Sequence, residues 1–216
     1  MPNLKDLQGK PYPVTNIYCI GRNYAEHAHE LGNAVPDEPV IFLKSSGSLG
    51  PQTGEFRLPA GERPQHEVEL VLWMRSSTDI GAIGIGLDLT LRKLQSELKS
   101  KGLPWTKAKS FLNSALISPL APVADGHSHK TNLDQLDLRL EVDGELRQAG
   151  NTSEMLVKPG ALITYLNRLT PLMEGDLIFT GTPKGVAEIQ PGQTLLARLG
   201  GITESTWVAA IERRSS

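Results

Sequence analysis

The chain has 216 residues, with 22 Lys and Arg against 24 Asp and Glu, a formal net charge of −2, 39% hydrophobic residues and 1 cysteine. This composition fits one packed globular domain and argues against a nucleic-acid or anionic-membrane partner, which calls for a basic face. One thiol excludes an intrachain disulfide and a cysteine-based zinc site and agrees with a reducing cytoplasm, the expected compartment; no apolar run is long enough to span a membrane, and the polar start lacks the apolar core of a signal peptide.

Residues 1–15 are expected to be an N-terminal extension, with one catalytic domain over 16–216. NIYCIGRNYA predicts a short strand that breaks at Gly21. Asn23 and Glu26 form a capping-box pattern and Gly32 supplies a stop, so YAEHAHEL predicts a short helix. Pro36 and Pro39 make 33–40 a loop before the strand VIFLKS. HEVELVLWM and AIGIGLDLT predict two core strands, followed by the amphipathic helix LRKLQSELKSKG, which ends at Gly102. LDLRLEVDGELRQAG predicts a hairpin turning at Asp143-Gly144. GALITYLNRL predicts a helix, DLIFTGTPKGV a strand running into a tight loop, and QTLLARLGGITESTWVAAIE two strands about a Gly-Gly turn. The class is a β-rich α/β or α+β mixture.

HEVEL sets Glu67 and Glu69 two apart, so on a strand both face one side while Val68 and Leu70 face the other. Side by side in a cleft, two carboxylates repel unless a cation lies between them. Asp88 lies in GLDLT, an otherwise apolar strand, where an unpaired carboxylate is costly to bury. Three hard oxygen ligands suit Mg²⁺ or Mn²⁺. By spacing alone, glutamates facing solvent from an edge strand are the commoner case. The same bland reading covers Lys109 as a solvated lysine, Arg92 and Gln95 as an exposed helix face, and His27 with Glu30 as a solvated pair one turn apart. TGTPKG lacks the Gly-Lys-Ser/Thr ending of a nucleotide loop and reads as a turn. His66 falls on the strand face opposite Glu67 and reads as packed, and His127 and His129 read as surface loop residues. No Gly-x-Ser-x-Gly elbow supports a serine triad.

IYCIGRNYAEHAHELGNAVPDEPVIFLK, HEVEL, GLDLTLRKLQ, GLPWTKAKSF, VDGELRQAGNTSEM and EGDLIFTGTPKGV occur in that order. With this ordered set the chain resembles the fumarylacetoacetate hydrolase family, most closely its small acylpyruvate hydrolase and oxaloacetate decarboxylase branch, from about residue 16 to the end. The resemblance implies an α+β fold, a β-roll of mixed sheets with short flanking helices, and a homodimer. It implies Mg²⁺ or Mn²⁺ on Glu67, Glu69 and Asp88, and a water-activating dyad of His27 and Glu30 on a mobile lid. Lys109 offsets charge on oxygen, and Arg92, Gln95 and Thr182 line the pocket of a small 2-oxo acid. The first expected activity is hydrolysis of acylpyruvates such as fumarylpyruvate or acetylpyruvate to pyruvate and a carboxylic acid through a metal-stabilised enolate. The alternatives are decarboxylation or keto–enol tautomerisation of oxaloacetate, an isomerase or decarboxylase role in aromatic catabolism, and a metal-stabilised binding protein with a relic pocket. Departures from the family pattern at Leu112, Ala115 and Leu116 predict an altered pocket wall, and Lys93 and Ser45 depart as well.

Overall fold

Two packed β-sheets carry the fold in the computed structural model, which describes residues 2–30, 32, 34–123 and 132–211. His127 and His129 lie outside the described residues. The larger sheet has 7 strands. Its order is Ala121–Pro122, Ile80–Asp88, Val68–Met74, Leu177–Phe179, Ile17–Gly21 and Val40–Lys44, with Ala115–Ile117 also pairing Ile80–Asp88. The second sheet has 5, in the order Glu145–Asn151, Asp137–Val142, Thr194–Leu199, Thr203–Ile211 and Gly54–Leu58. Both are mixed: Leu177–Phe179 runs parallel to Ile17–Gly21, and Thr203–Ile211 parallel to Gly54–Leu58, among antiparallel pairs. The helices are short: α1 (Ala25–Glu30), α2 (Arg92–Ser100), α3 (Thr106–Lys109) and α4 (Pro159–Leu169). This is the expected α+β β-roll.

Alternation in the sequence decides which faces meet. Leu138, Leu140 and Val142 point inward from the smaller sheet and pack with Leu70, Leu72, Ile83 and Ile85 of the larger. The opposite face of Val68–Met74 carries Val71 and Trp73, which join Ile17, Cys19 and Phe179 in a second core. That core is closed by a hairpin of Asn3–Lys5 and Pro11–Pro13, whose Leu4 and Tyr12 are buried, with Val14 beside them. Val68–Met74 is therefore apolar on both faces, as a central strand must be. The predicted 137–151 hairpin turns at Asp143 and Gly144 with φ of 52° and 80°, the signature of a type I′ turn.

One local expectation fails. Asn23 does not cap α1. Its Nδ2 donates to Val157 O (2.9 Å) and Thr180 O (2.8 Å), and its Oδ1 accepts from Val157 N (2.8 Å). The side chain ties three segments together and is not free to cap. Glu26 likewise turns outward, to Lys184 Nζ at 2.9 Å.

Candidate active site

The acidic centre forms where two core strands end. Glu67 immediately precedes Val68–Met74, and Asp88 closes the antiparallel strand Ile80–Asp88; Asp88 N donates to Glu67 O at 2.9 Å. Residues opposite one another on antiparallel strands share a face, so Asp88 joins the side that Glu67 and Glu69 already share. Carboxylate oxygens of the three lie within 4.8 Å of one another, and all three residues are buried. The same strand face is apolar farther on, at Val71 and Trp73, which keeps the acidic end out of bulk water.

Two buried lysines reach the trio. Lys109 Nζ donates to Glu67 Oε2 (2.8 Å), Asp88 Oδ2 (2.7 Å) and Thr90 Oγ1 (2.6 Å). Lys44 Nζ lies 2.7 Å from Asp88 Oδ1 and donates to the carbonyls of Leu89 (3.2 Å) and Lys109. Arg92 pairs with Glu67 and also donates to Gln65 (2.8 Å) and Gln95 (2.7 Å). Burial pushes the Glu67 carboxyl up, but Lys109 and Arg92 outweigh it and hold it well below the usual range. Burial disfavours charge on Lys109 too, and Asp88 and Glu67 overcome this and raise its pKa. Glu69 has less help: burial, then Asp88 and Glu67, push it well above the usual carboxylate range, against a hydrogen bond from Gly181 N at 2.6 Å and a weaker pull from Lys109.

The residues present fit a hard divalent cation. Glu69 forms no ion pair among the described residues, and the buried Asp88 Oδ1 accepts no aligned hydrogen bond despite its proximity to Lys44. A cation held by Glu67, Glu69 and Asp88 would meet both needs, in the all-oxygen set that suits Mg²⁺ or Mn²⁺.

α1 and the TGTPKG loop flank this centre. His27 is buried, and its Nδ1 lies 3.1 Å from Glu30 Oε2. A carboxylate accepts only from a protonated Nδ1, which leaves Nε2 as the basic nitrogen. Glu30 Oε1 in turn accepts from Gly185 N at 3.0 Å. The loop read as a plain turn thus supplies two backbone donors, Gly181 to Glu69 and Gly185 to Glu30. Both positions require glycine: φ is 101° and 98°, and a Cβ at Gly185 would come within 2.2 Å of Arg147 O.

A cavity of about 40 Å³ over the centre is lined by His27, Glu67, Glu69, Asp88, Arg92, Gln95, Lys109 and Thr182. Of the nine residues expected from sequence, only Glu30 lies outside the lining, one hydrogen bond behind His27. Thr182 Oγ1 accepts from Gln148 Nε2 at 2.9 Å; Gln148 Oε1 also meets His66 Nδ1 (2.9 Å) and Val68 N (3.1 Å). His66 is therefore packed, as expected. The altered stretch does not form the pocket wall: Leu112 is exposed, and Ala115 and Leu116 are buried in the cores, so the expectation of a changed wall is corrected. Ser45 N donates to Ser110 Oγ at 2.9 Å, and Ser45 Oγ accepts from Gly47 N, capping a short turn. Sequence reasoning missed Lys44, Gln148 and the two glycine donors. The signal for Lys44 was a lysine closing the apolar strand VIFLK.

A far larger groove, about 1000 Å³, lies beside the cavity. It shares Val40, Phe42, Trp105 and Lys109 with the cavity but contains none of the carboxylates. Among the described residues no helix is long and apolar enough to cross a membrane.

The model of the fumarylacetoacetate (FAA) hydrolase C-terminal family matches residues 16–207. The mitochondrial oxaloacetate tautomerase FAHD1 of Arabidopsis thaliana is 42% identical over 214 residues, 93% of this chain and 92% of that protein. Oxaloacetate tautomerase YcgM of Escherichia coli (strain K12) is 38% identical over 208 residues, 91% and 94% of the two chains. The crystal structure of fumarylpyruvate hydrolase from Pseudomonas aeruginosa in complex with Mn²⁺ and pyruvate superposes with a TM-score of 0.88 at 30% identity, covering 98% of this chain and 96% of that one. The chain belongs to the fumarylacetoacetate hydrolase family of enzymes.

Proposed function

We propose that the chain is a divalent-metal-dependent keto–enol tautomerase of oxaloacetate. The observation that carries this reading is its similarity, across more than nine tenths of both chains, to oxaloacetate tautomerases of a plant and a bacterium. It reverses the order expected from sequence, where acylpyruvate hydrolysis came first.

Ketonisation moves one proton from the enol oxygen at C2 to carbon C3, and no water is consumed. Glu67, Glu69 and Asp88 would hold Mg²⁺ or Mn²⁺, which supplies Lewis-acid polarisation of the 2-oxo group. His27 Nε2, the basic nitrogen of a residue lining the cavity, takes the proton from the enol oxygen and delivers it to C3, returning to its neutral form; Glu30 fixes its tautomer and balances the transient imidazolium. Lys109, held charged by Glu67 and Asp88, offsets negative charge on the C2 oxygen. Arg92, Gln95 and Thr182 orient the carboxylate next to it. The cavity has room for about one water, so α1 must swing away from the TGTPKG loop to admit substrate.

The fumarylpyruvate hydrolase likeness supports acylpyruvate hydrolysis as the second reading, with His27 drawing its proton from water instead. Purified protein with Mg²⁺ would be assayed for loss of enol absorbance with oxaloacetate, and for pyruvate release from acetylpyruvate and fumarylpyruvate. Tautomerisation faster than any acylpyruvate cleavage, and abolished by chelation, is expected. Oxaloacetate ketonising at the rate of Mg²⁺ buffer alone would sink the reading.

A further inference from the structure

Two further cations in the cavity lining have no part in the chemistry described so far. Arg22 and Lys99 both line it, Arg22 from the turn after Ile17–Gly21 and Lys99 from the last turn of α2. Neither forms an ion pair or a side-chain hydrogen bond with the described residues, in a site where Arg92, Lys109 and Lys44 are each bound to a carboxylate. Lys99 Nζ instead sits 5.6 Å from the centre of the Trp105 ring, which also lines the cavity. Arg22 adopts φ 59°, a conformation rare for a residue with a Cβ and typical of ligand-binding positions that the surrounding structure enforces. The two charges act on one another: burial, then Arg22 and Arg92, lower the Lys99 pKa. Lys99 is exposed and Arg22 half-buried, so water screens part of this repulsion, and an anion between the two would relieve the rest.

We propose that Arg22 and Lys99 are specificity-determining residues that bind the distal carboxylate of a 2-oxo dicarboxylic acid. This rests on the oxaloacetate reading and adds what selects a diacid over a monoacid. Counting Lys44 and Glu30, which both stand just behind the lining, five cations face four carboxylates before any metal is bound. A dianion meets that field, and an acylpyruvate with a neutral acyl end leaves Arg22 and Lys99 unpaired. Charge-assisted hydrogen bonds to a carboxylate contribute roughly tenfold to a hundredfold in affinity.

The test pairs ligands that differ in the distal charge. Calorimetry with Mg²⁺-loaded protein would compare 2-oxoglutarate with 2-oxopentanoate, and kinetics would compare oxaloacetate with its 4-ethyl ester. The parent protein should prefer the diacid in both, and Arg22→Gln/Lys99→Gln should erase that preference while 2-oxopentanoate binds within about twofold of the parent. Lys99→Gln alone changes only a surface residue and should lose part of the preference; Arg22→Lys/Lys99→Arg should restore it. An undiminished preference in Lys99→Gln and in the double variant overturns the assignment, as does equal weakening of both ligands. The calorimetric arm is independent of turnover: absent ketonisation with an intact diacid preference defeats the tautomerase reading alone.

Discussion

Glu69 is set apart from Glu67 and Asp88 by having no cation of its own, and its protonation should report on the metal. Its pKa in the folded protein is raised, by burial and then by Asp88 and Glu67. A carboxyl raised on folding costs no stability while neutral in both states, and destabilises once the unfolded chain ionises, near pH 4. The metal-free protein should therefore lose stability as pH climbs from there through the raised value. Glu69→Gln should flatten that slope, and Mg²⁺ should bind with release of a proton. Thermal melts against pH and calorimetry in buffers of different ionisation enthalpy would check both; a metal-free melting profile identical in parent and Glu69→Gln contradicts the argument. His27 has a different signature. His27→Ala should keep Mg²⁺ affinity within about twofold and lower kcat by roughly 10²–10⁴, the usual worth of a positioned acid–base group. Loss of metal binding in His27→Ala would make it a ligand instead.

At the scale of elements, α1 is six residues long, too short to hold itself helical, and depends on what it touches. Its grip on the TGTPKG loop is Glu30 to Gly185 N and, in solvent, Glu26 to Lys184. Gly185→Ala drives a Cβ toward Arg147 O and strains a φ of 98°, so it should cost about 1–3 kcal/mol of stability. It also moves the donor from Glu30, so kcat should drop at least tenfold, measured at a temperature where the variant is still folded. An unchanged kcat would mean that Gly185 does not orient the dyad. The helix itself was legible in the sequence, but its anchoring was not: Asn23 looks like a cap because caps are local, whereas its partners Val157 and Thr180 are long-range. Lys44 was missed for the same reason: a lysine closing an apolar strand is a weak signal that looks solvated until the fold sets it 2.7 Å from Asp88. Glu67 and Glu69 were legible as a pair because period-2 geometry carries over from sequence to strand, but their role as ligands, and that of Asp88, came from the family resemblance, since spacing alone favoured solvent. The turn of helix at Thr106–Lys109 was read as basic loop, being too short to show a period. The hairpin at the start escaped for another reason: its strand Pro11–Pro13 carries two prolines, which mark loops everywhere except at an edge.

The whole molecule leaves one sheet edge open beside the site. Val40–Lys44 ends the larger sheet and, among the described residues, pairs only with Ile17–Gly21. It is apolar, Leu43 is 54% exposed, and the groove of about 1000 Å³ runs along it. An uncovered apolar edge invites pairing with another chain. We propose that a second copy of this chain covers it, giving the homodimer expected from sequence. The consequence reaches the chemistry, because Val40, Phe42 and Trp105 line both the groove and the cavity, and Lys109 follows Trp105 within α3. Leu43 lies outside the cavity lining, so Leu43→Lys should disturb the interface without touching substrate. Light scattering after gel filtration should find a dimer for the parent and a monomer for Leu43→Lys. The monomer should bind Mg²⁺ through the intact trio yet turn over several-fold more slowly, as Phe42 and Trp105 lose their backing. A parent that elutes as a monomer at micromolar concentration would rule out the covered edge. A fully active Leu43→Lys monomer would separate assembly from catalysis and leave solubility as the reason for covering it.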